Sequence, residues 1–146
     1  MAWKIGIVVS RFNDMITEKL LQGTLEQLSA SGVNAQDIAV VHVPGAVEIP
    51  LTAQLMAKQK RYHAIICLGA VIRGDTPHFD YVSQQVSQGC QRVMMDHDIP
   101  VIFGVLTTDN MEQAIARIGG KVGHKGKEAA EAAMEMIRVI QNLVPA

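Results

Sequence analysis

The run Ala64-Ile65-Ile66-Cys67-Leu68-Gly69-Ala70-Val71-Ile72 constrains the fold more than any other segment. It carries no charged or hydrogen-bonding polar side chain except a thiol, so neither of its faces suits water. A strand of this kind belongs in a parallel sheet covered by helices on both sides. In open α/β sheets, ligands bind just beyond the carboxyl ends of the strands. The residues that follow are Arg73-Gly74-Asp75-Thr76-Pro77-His78-Phe79-Asp80-Tyr81. A histidine, a hydroxyl and a Gly-loosened backbone are therefore placed where such a fold keeps its chemistry.

The rest of the chain alternates short apolar runs with longer helical patterns. Ile5 to Val9 reads as the first strand. Asn13 or Asp14 is expected to cap a helix running to about Ala30, with Gly32 as its stop. Ile38 to Val43 is the second strand, broken by Pro44-Gly45, and a helix is expected from about Val47 to Lys58. Pro50 fits its first turn, where the missing N–H has no intrahelical partner. Ala64 to Ile72 is the third strand, followed by a helix from about Tyr81 to Asp96. Val101 to Leu106 is the fourth. Thr107 or Thr108 with Asp109 starts a helix over Met111 to Ile118, a Gly-rich segment spans 119 to 126, and a last helix covers about Lys127 to Leu143. Alternating strands and helices imply βαβ units. The expected α/β fold is a three-layer αβα sandwich around a four-stranded parallel sheet, similar to the flavodoxin-like arrangement. No repeat or linker divides the 146 residues, so one domain over 1–146 is expected.

Composition excludes several functions. A net charge of −1 gives no electrostatic attraction for nucleic acid or an anionic membrane. Aromatic residues at 4% do not supply a base-stacking surface. No apolar run approaches the ~20 residues of a membrane span, and the N-terminus lacks a signal peptide's apolar stretch. A soluble cytoplasmic protein is the expectation. Cys67 falls in a strand and Cys90 in a helix, so both read as reduced core thiols. No CxxC or Cys/His spacing points to a metal.

Four loops should meet at one edge of the sheet. In Ser10-Arg11-Phe12-Asn13, Phe12 either stacks on a planar ligand or staples the first helix, with even weight on each. In Val43-Pro44-Gly45-Ala46-Val47-Glu48-Ile49-Pro50, small residues admit a ligand to the backbone. Glu48 there accepts from polyol hydroxyls or, more commonly for such a residue, answers the helix dipole. In the third loop, Gly74, Asp75 and Thr76 offer N–H groups and a hydroxyl to a phosphate. His78 is the proton-transfer candidate, imidazole being suited to that near neutral pH; a lone loop histidine is more often a surface residue. Arg73-Gly74-Asp75 also spells a cell-adhesion tripeptide, which arises readily by chance. The fourth group is Arg117 with Lys121 and Lys125 among Gly119, Gly120, Gly123 and Gly126, a cationic cluster suited to phosphate. Alone, it would pass for a solvated basic turn. Neither GxxxxGK[ST] nor GxGxxG is present, so ATP and dinucleotide sites are excluded.

The segments Arg11–Asn13, Val43–Pro50, Gly69–Tyr81, Phe103–Thr108 and Glu112–Gly126 occur in an order and spacing that closely resembles the lumazine synthase family, over about Lys4 to Ile140. The resemblance implies a transferase of riboflavin biosynthesis. Its reaction condenses 5-amino-6-(D-ribitylamino)uracil with 3,4-dihydroxy-2-butanone 4-phosphate and needs no cofactor or metal. A non-catalytic flavin- or lumazine-binding protein on the same scaffold is the alternative. By matched position, Phe12 would stack on the pyrimidine, and Ala46, Val47 and Glu48 would line the ribityl site. Ala70, Val71 and Ile72 would hold the ring, Asp75 and Thr76 would bind the butanone phosphate, and His78 would move protons. Phe103 and Arg117 match positions supplied by a neighbouring subunit. Lys121, Lys125 and Glu128 match an auxiliary charged group beside Arg117. Val47 stands where the family often has Phe, and Asp75 where it often has a small residue. Asp75 is therefore expected to offer its N–H and turn its carboxylate away. Gly120 and His124 stand where Thr and Asn are common, which makes His124 an additional polar contact. The resemblance implies a homo-oligomer with its active site at the subunit interface. A pentamer is expected because the chain begins beside the first strand. A decamer, an icosahedral shell of pentamers and an association with riboflavin synthase are larger assemblies compatible with it.

Overall fold

A computed structural model describes residues 2–144; Met1, Pro145 and Ala146 lie outside the described residues. Strands β1 (Ile5–Ser10), β2 (Ile38–Val43), β3 (Ala64–Ile72) and β4 (Val101–Thr108) form one parallel sheet in the order β2-β1-β3-β4. Helices α1 (Asp14–Ala30), α2 (Ile49–Lys58) and α3 (His78–His97) connect them. After β4 come α4 (Met111–Ile115), a small antiparallel hairpin of β5 (Ile118–Gly120) and β6 (Gly123–His124), and α5 (Lys125–Leu143). The αβα sandwich expected from the sequence is the observed architecture.

The central strands explain the layers. Successive side chains on a strand point to opposite faces, and β3 is apolar at both. Ala64, Ile66, Leu68 and Ala70 enter one core with Ile5, Ile7 and Val9 of β1, beneath α1 and α5. Ile65, Cys67 and Val71 enter the other, beneath α2 and α3, with Val8. Each fully buried aliphatic side chain contributes about 1.5–3 kcal/mol, so the layers are fixed before any loop is considered. Among described residues, Cys67 and Cys90 are free, buried thiols in the second core. The hydrogen bond with the neighbouring Cys90, followed by burial, pushes the Cys67 thiol well above its usual range.

Several boundaries differ from the sequence expectation; β4 runs on through Thr107 and Thr108, so Asn110 caps α4 in their place, and α5 starts at Lys125. Helix α3 starts at His78, a turn before Tyr81, because Pro77 with φ −69° already occupies the N-cap position. A 3₁₀ turn at Ala46–Glu48 precedes α2, which starts at Ile49. The helix expected over Met111 to Ile118 stops at Ile115, and the Gly-rich segment forms β5 and β6. Gly119 (φ 103°) and Gly123 (φ 91°) provide its left-handed positions.

Helices α1 and α5 approach closely at Gly126, which lacks a Cβ. A Cβ on Gly126 would meet the Leu20 carbonyl, and the Thr24 hydroxyl at 2.9 Å. That hydroxyl bonds the Leu20 carbonyl (2.8 Å) and the Gly126 carbonyl (3.0 Å). Gly126→Ala is expected to destabilise the fold by about 1–3 kcal/mol, as overpacking does. Chemical denaturation measures it; an unchanged midpoint would contradict the close approach.

Candidate functional site

The strand order turns back between β1 and β3, since β2 lies on one side of β1 and β3 and β4 on the other. Such a switch point leaves a crevice at the strands' carboxyl ends. Here it is an apolar cleft of about 440 Å³, lined from the β1, β2 and β3 ends and from α3. A mostly apolar cleft with a few polar groups is the usual form of a small-molecule site.

The β1 loop builds the first wall. Arg11 N–H donates to the Val43 carbonyl (2.8 Å) and Phe12 N–H to the Pro44 carbonyl (3.0 Å), stitching this loop to the β2 loop. Asn13 adopts the left-handed conformation, φ 63° and ψ 48°, and its side chain makes no cap bond with α1. Instead its Nδ2 donates to the Ala70 carbonyl at 3.1 Å, tying β1 to the end of β3. Phe12 lines the cleft and remains 71% exposed. That exposure rules out a hydrophobic staple on α1.

The β2 loop supplies Gly45, Ala46 and Val47. Ala46 is buried and Val47 exposed. Glu48 does not line the cleft; its Oε1 accepts from the Gly45 N–H at 2.9 Å, which closes the 3₁₀ turn. Ala70, Val71 and Ile72 end β3 in the cleft wall.

The third wall is the Gly74–Val82 segment. Gly74, Thr76, His78, Phe79 and Val82 line the cleft, whereas Asp75 is exposed and does not. Because α3 begins at His78, His78 and Val82 lie one turn apart on one helix face. The His78 N–H donates to Thr76 Oγ1 at 3.4 Å. Arg73 holds this segment from behind. Its Nε pairs with Asp109 at 3.0 Å, its Nη2 with Asp80 at 3.4 Å, and its guanidinium lies 4.4 Å from the Phe79 ring centroid. The Asp109 hydrogen bond is the main reason that its basicity rises above the ordinary guanidinium value.

The cleft thus unites Phe12, Ala46, Val47, Ala70, Val71, Ile72, Thr76 and His78. Phe103, Arg117, Lys121, Lys125 and Glu128 are not in it. Phe103 packs against the α2–α3 core. Arg117 follows α4; its Nη2 lies 3.5 Å from Glu128 Oε1, and its Nε is buried without a hydrogen-bond partner. The Arg117 carbonyl accepts from Lys125 N–H at 2.7 Å. The glycines around it shape a hairpin and the α1–α5 contact. His124 is a helix cap there, its Nδ1 accepting from the Gly126 and Lys127 N–H groups.

Asn13, Phe79 and Val82 line the cleft without having stood out in the sequence. Starting the helix at Pro77 would have placed Phe79 and Val82 beside His78. Among the described residues, no group of three His, Cys, Asp or Glu side chains is placed to hold a metal ion. Asn13→Ala should cost about 1–3 kcal/mol, combining the left-handed penalty with the lost bond to Ala70. Asn13→Gly, which retains the backbone conformation, should cost less. Denaturation of both variants tests this; equal stability of the two would remove the left-handed contribution.

The family model for 6,7-dimethyl-8-ribityllumazine synthase matches residues 2–141. Two relatives, each named 6,7-dimethyl-8-ribityllumazine synthase, come from Coxiella burnetii strains CbuG_Q212 and RSA 493 / Nine Mile phase I. Each is 55% identical over 142 residues, covering 97% of this chain and 94% of the relative.

Proposed function

The chain belongs to the 6,7-dimethyl-8-ribityllumazine synthase family, and from that premise we propose an active site divided between two copies of the chain. The reaction itself follows from membership: the chain is a transferase of riboflavin biosynthesis that condenses 5-amino-6-(D-ribitylamino)uracil with 3,4-dihydroxy-2-butanone 4-phosphate. The observation that carries the division is spatial. The apolar cleft contains His78, and the basic group around Arg117 lies outside it.

In this reading the cleft takes the aminouracil. Phe12 presents an exposed ring for stacking, worth about 0.5–1.5 kcal/mol beyond buried area. Ala70, Val71 and Ile72 hold the pyrimidine edge through β3 backbone groups. Ala46 and Val47 border the ribityl chain, and Glu48 accepts from its hydroxyls through the oxygen that does not bond Gly45. Val47 fills less of the site than an aromatic residue would. The butanone phosphate sits over the N–H groups of Gly74, Asp75 and Thr76 and the Thr76 hydroxyl, with the exposed Asp75 carboxylate turned away. Arg117 of a second copy closes this phosphate site through the accessible end of its guanidinium, beside Glu128. Phe103 of that copy covers the ring, and Lys121, Lys125 and Glu128 set the charge around Arg117.

Chemistry then needs little beyond positioning and proton transfer. The aromatic amine adds to the ketone, and loss of water gives an imine. His78 removes a proton from the adjacent carbon as phosphate departs, and returns protons as the second nitrogen closes the ring with loss of water. Arg117 and the N–H groups stabilise the charge on the leaving phosphate.

Exposed apolar residues support assembly with other copies. Val40 and Val41 lie on edge strand β2, and Leu51 (62% exposed) and Leu55 (52% exposed) on α2. We infer a homo-oligomer, pentameric by family resemblance, working in the cytoplasm, where free Cys67 and Cys90 would remain reduced. Among the described residues, no helix is long and apolar enough to cross a membrane.

The purified protein should turn the two substrates into a product with lumazine absorbance and fluorescence. His78→Ala should lower kcat about 10²–10⁴-fold. Arg117→Ala should raise KM for the phosphorylated ketone roughly 10–100-fold, the worth of a charged hydrogen bond. Co-assembled His78→Ala and Arg117→Ala chains should recover activity that neither has alone, because some interfaces then hold both wild-type groups. No recovery in verified mixed oligomers would refute the divided site.

A further inference from the structure

The proposed chemistry does not use His124, yet the basic loop is built around it. Its Nδ1 accepts from Gly126 N–H at 3.1 Å and Lys127 N–H at 3.4 Å, capping α5. A ring nitrogen that accepts carries no proton, so this cap exists only while the imidazole is neutral. The ring packs over Gly23 of α1, where any Cβ would collide with it, and 3.7 Å from a Cβ placed on Gly119. It has little room to swing aside. The same residue pairs with Ile118 across the hairpin, and Lys125 N–H donates to the Arg117 carbonyl at 2.7 Å. Glu128, the side-chain partner of Arg117 at 3.5 Å, is in the first turn of the helix that His124 caps. Cap, hairpin and Arg117 are thus mechanically one unit.

We propose that His124 is a pH-sensitive positioning residue: neutral, it caps α5 and fixes Arg117, and protonation in mildly acidic solution releases both. The proposal deepens the divided-site reading and rests on Arg117 serving the phosphorylated ketone. The charged groups facing the ring are Lys127 on α5 and Glu26 on α1, which lie 3.9 Å from each other, while Lys19 of α1 presents its backbone carbonyl. Burial, followed by Lys127, disfavours the charged ring; the Lys19 carbonyl and Glu26 favour it less strongly, so the His124 pKa lies below its ordinary value. The sign is then fixed. The cap's contribution is complete above the ordinary imidazole value of about 6.5 and is lost as pH falls through the lowered folded value.

The test measures hydrogen exchange at the Gly126 and Lys127 amides, corrected for intrinsic pH dependence, between about pH 5 and 7.5. KM for the phosphorylated ketone is measured over the same range. Wild type should lose roughly fivefold in amide protection on acidification, the scale of a lost helix cap, with a several-fold rise in KM. His124→Asn keeps a capping acceptor that does not titrate and should flatten the His124 contribution to both profiles. Any pH dependence of the substrates and of the chemical step is common to both proteins and cancels in the comparison. His124→Ala should show weakened protection at every pH. Identical amide profiles for wild type and His124→Asn would overturn the proposal. Unchanged KM in Arg117→Ala would instead sink the phosphate role of Arg117, leaving the cap's own response to be decided by the amides.

Discussion

Everything in this fold depends on the burial of β3 on both faces. Its residues alternate between two cores, one beneath α1 and α5 and the other beneath α2 and α3. That arrangement leaves no polar side chain within the strand and makes its carboxyl end the first point where chemistry can be exposed. The crevice between β1 and β3 forms there because the strand order reverses at β1. The cleft is therefore a by-product of layer packing, and loops only decorate it.

The decoration is held by few bonds. Asn13 ties the β1 loop to Ala70, Glu48 closes the β2 turn, and Arg73 clamps the start of α3 through Asp80 and Asp109. None of these groups needs to touch a substrate for the walls to keep their spacing. The basic hairpin lies outside the cleft. Its distance from the cleft gives oligomerisation a catalytic meaning in the divided-site reading: an isolated chain would own two half-sites and no whole one.

The fold was largely legible in the sequence because its central strands are long and uninterrupted. The bounds of β3 match the apolar run, and β1 extends the expected segment by one residue. Helix α3 starts a turn before its apolar pattern indicates, because Pro77 already holds the N-cap conformation. The β5–β6 hairpin was invisible because five strand residues flanked by glycines carry no periodicity. Within the cleft, Phe12 and His78 announced themselves as polar-loop exceptions. Asn13 did not, since Asn before a helix ordinarily predicts a cap, and only the Ala70 carbonyl diverts it. The relation proposed between Arg117 and the cleft has no trace in the local sequence, because residues brought together only by assembly share no spacing.

The ladder between β3 and β4 continues past Ile72, where Arg73 N–H reaches the Thr108 carbonyl at 2.9 Å. Helix α3 then begins at His78, leaving only Gly74 to Pro77 to cross between two rigid bodies. Each residue in a helix advances its side chains by about 100°. Adding or removing one residue in this tether, with the helix packing unchanged, would turn a different side chain toward the cleft. The number of residues in this tether therefore sets which side chains of α3 face the cleft, as firmly as their identity does.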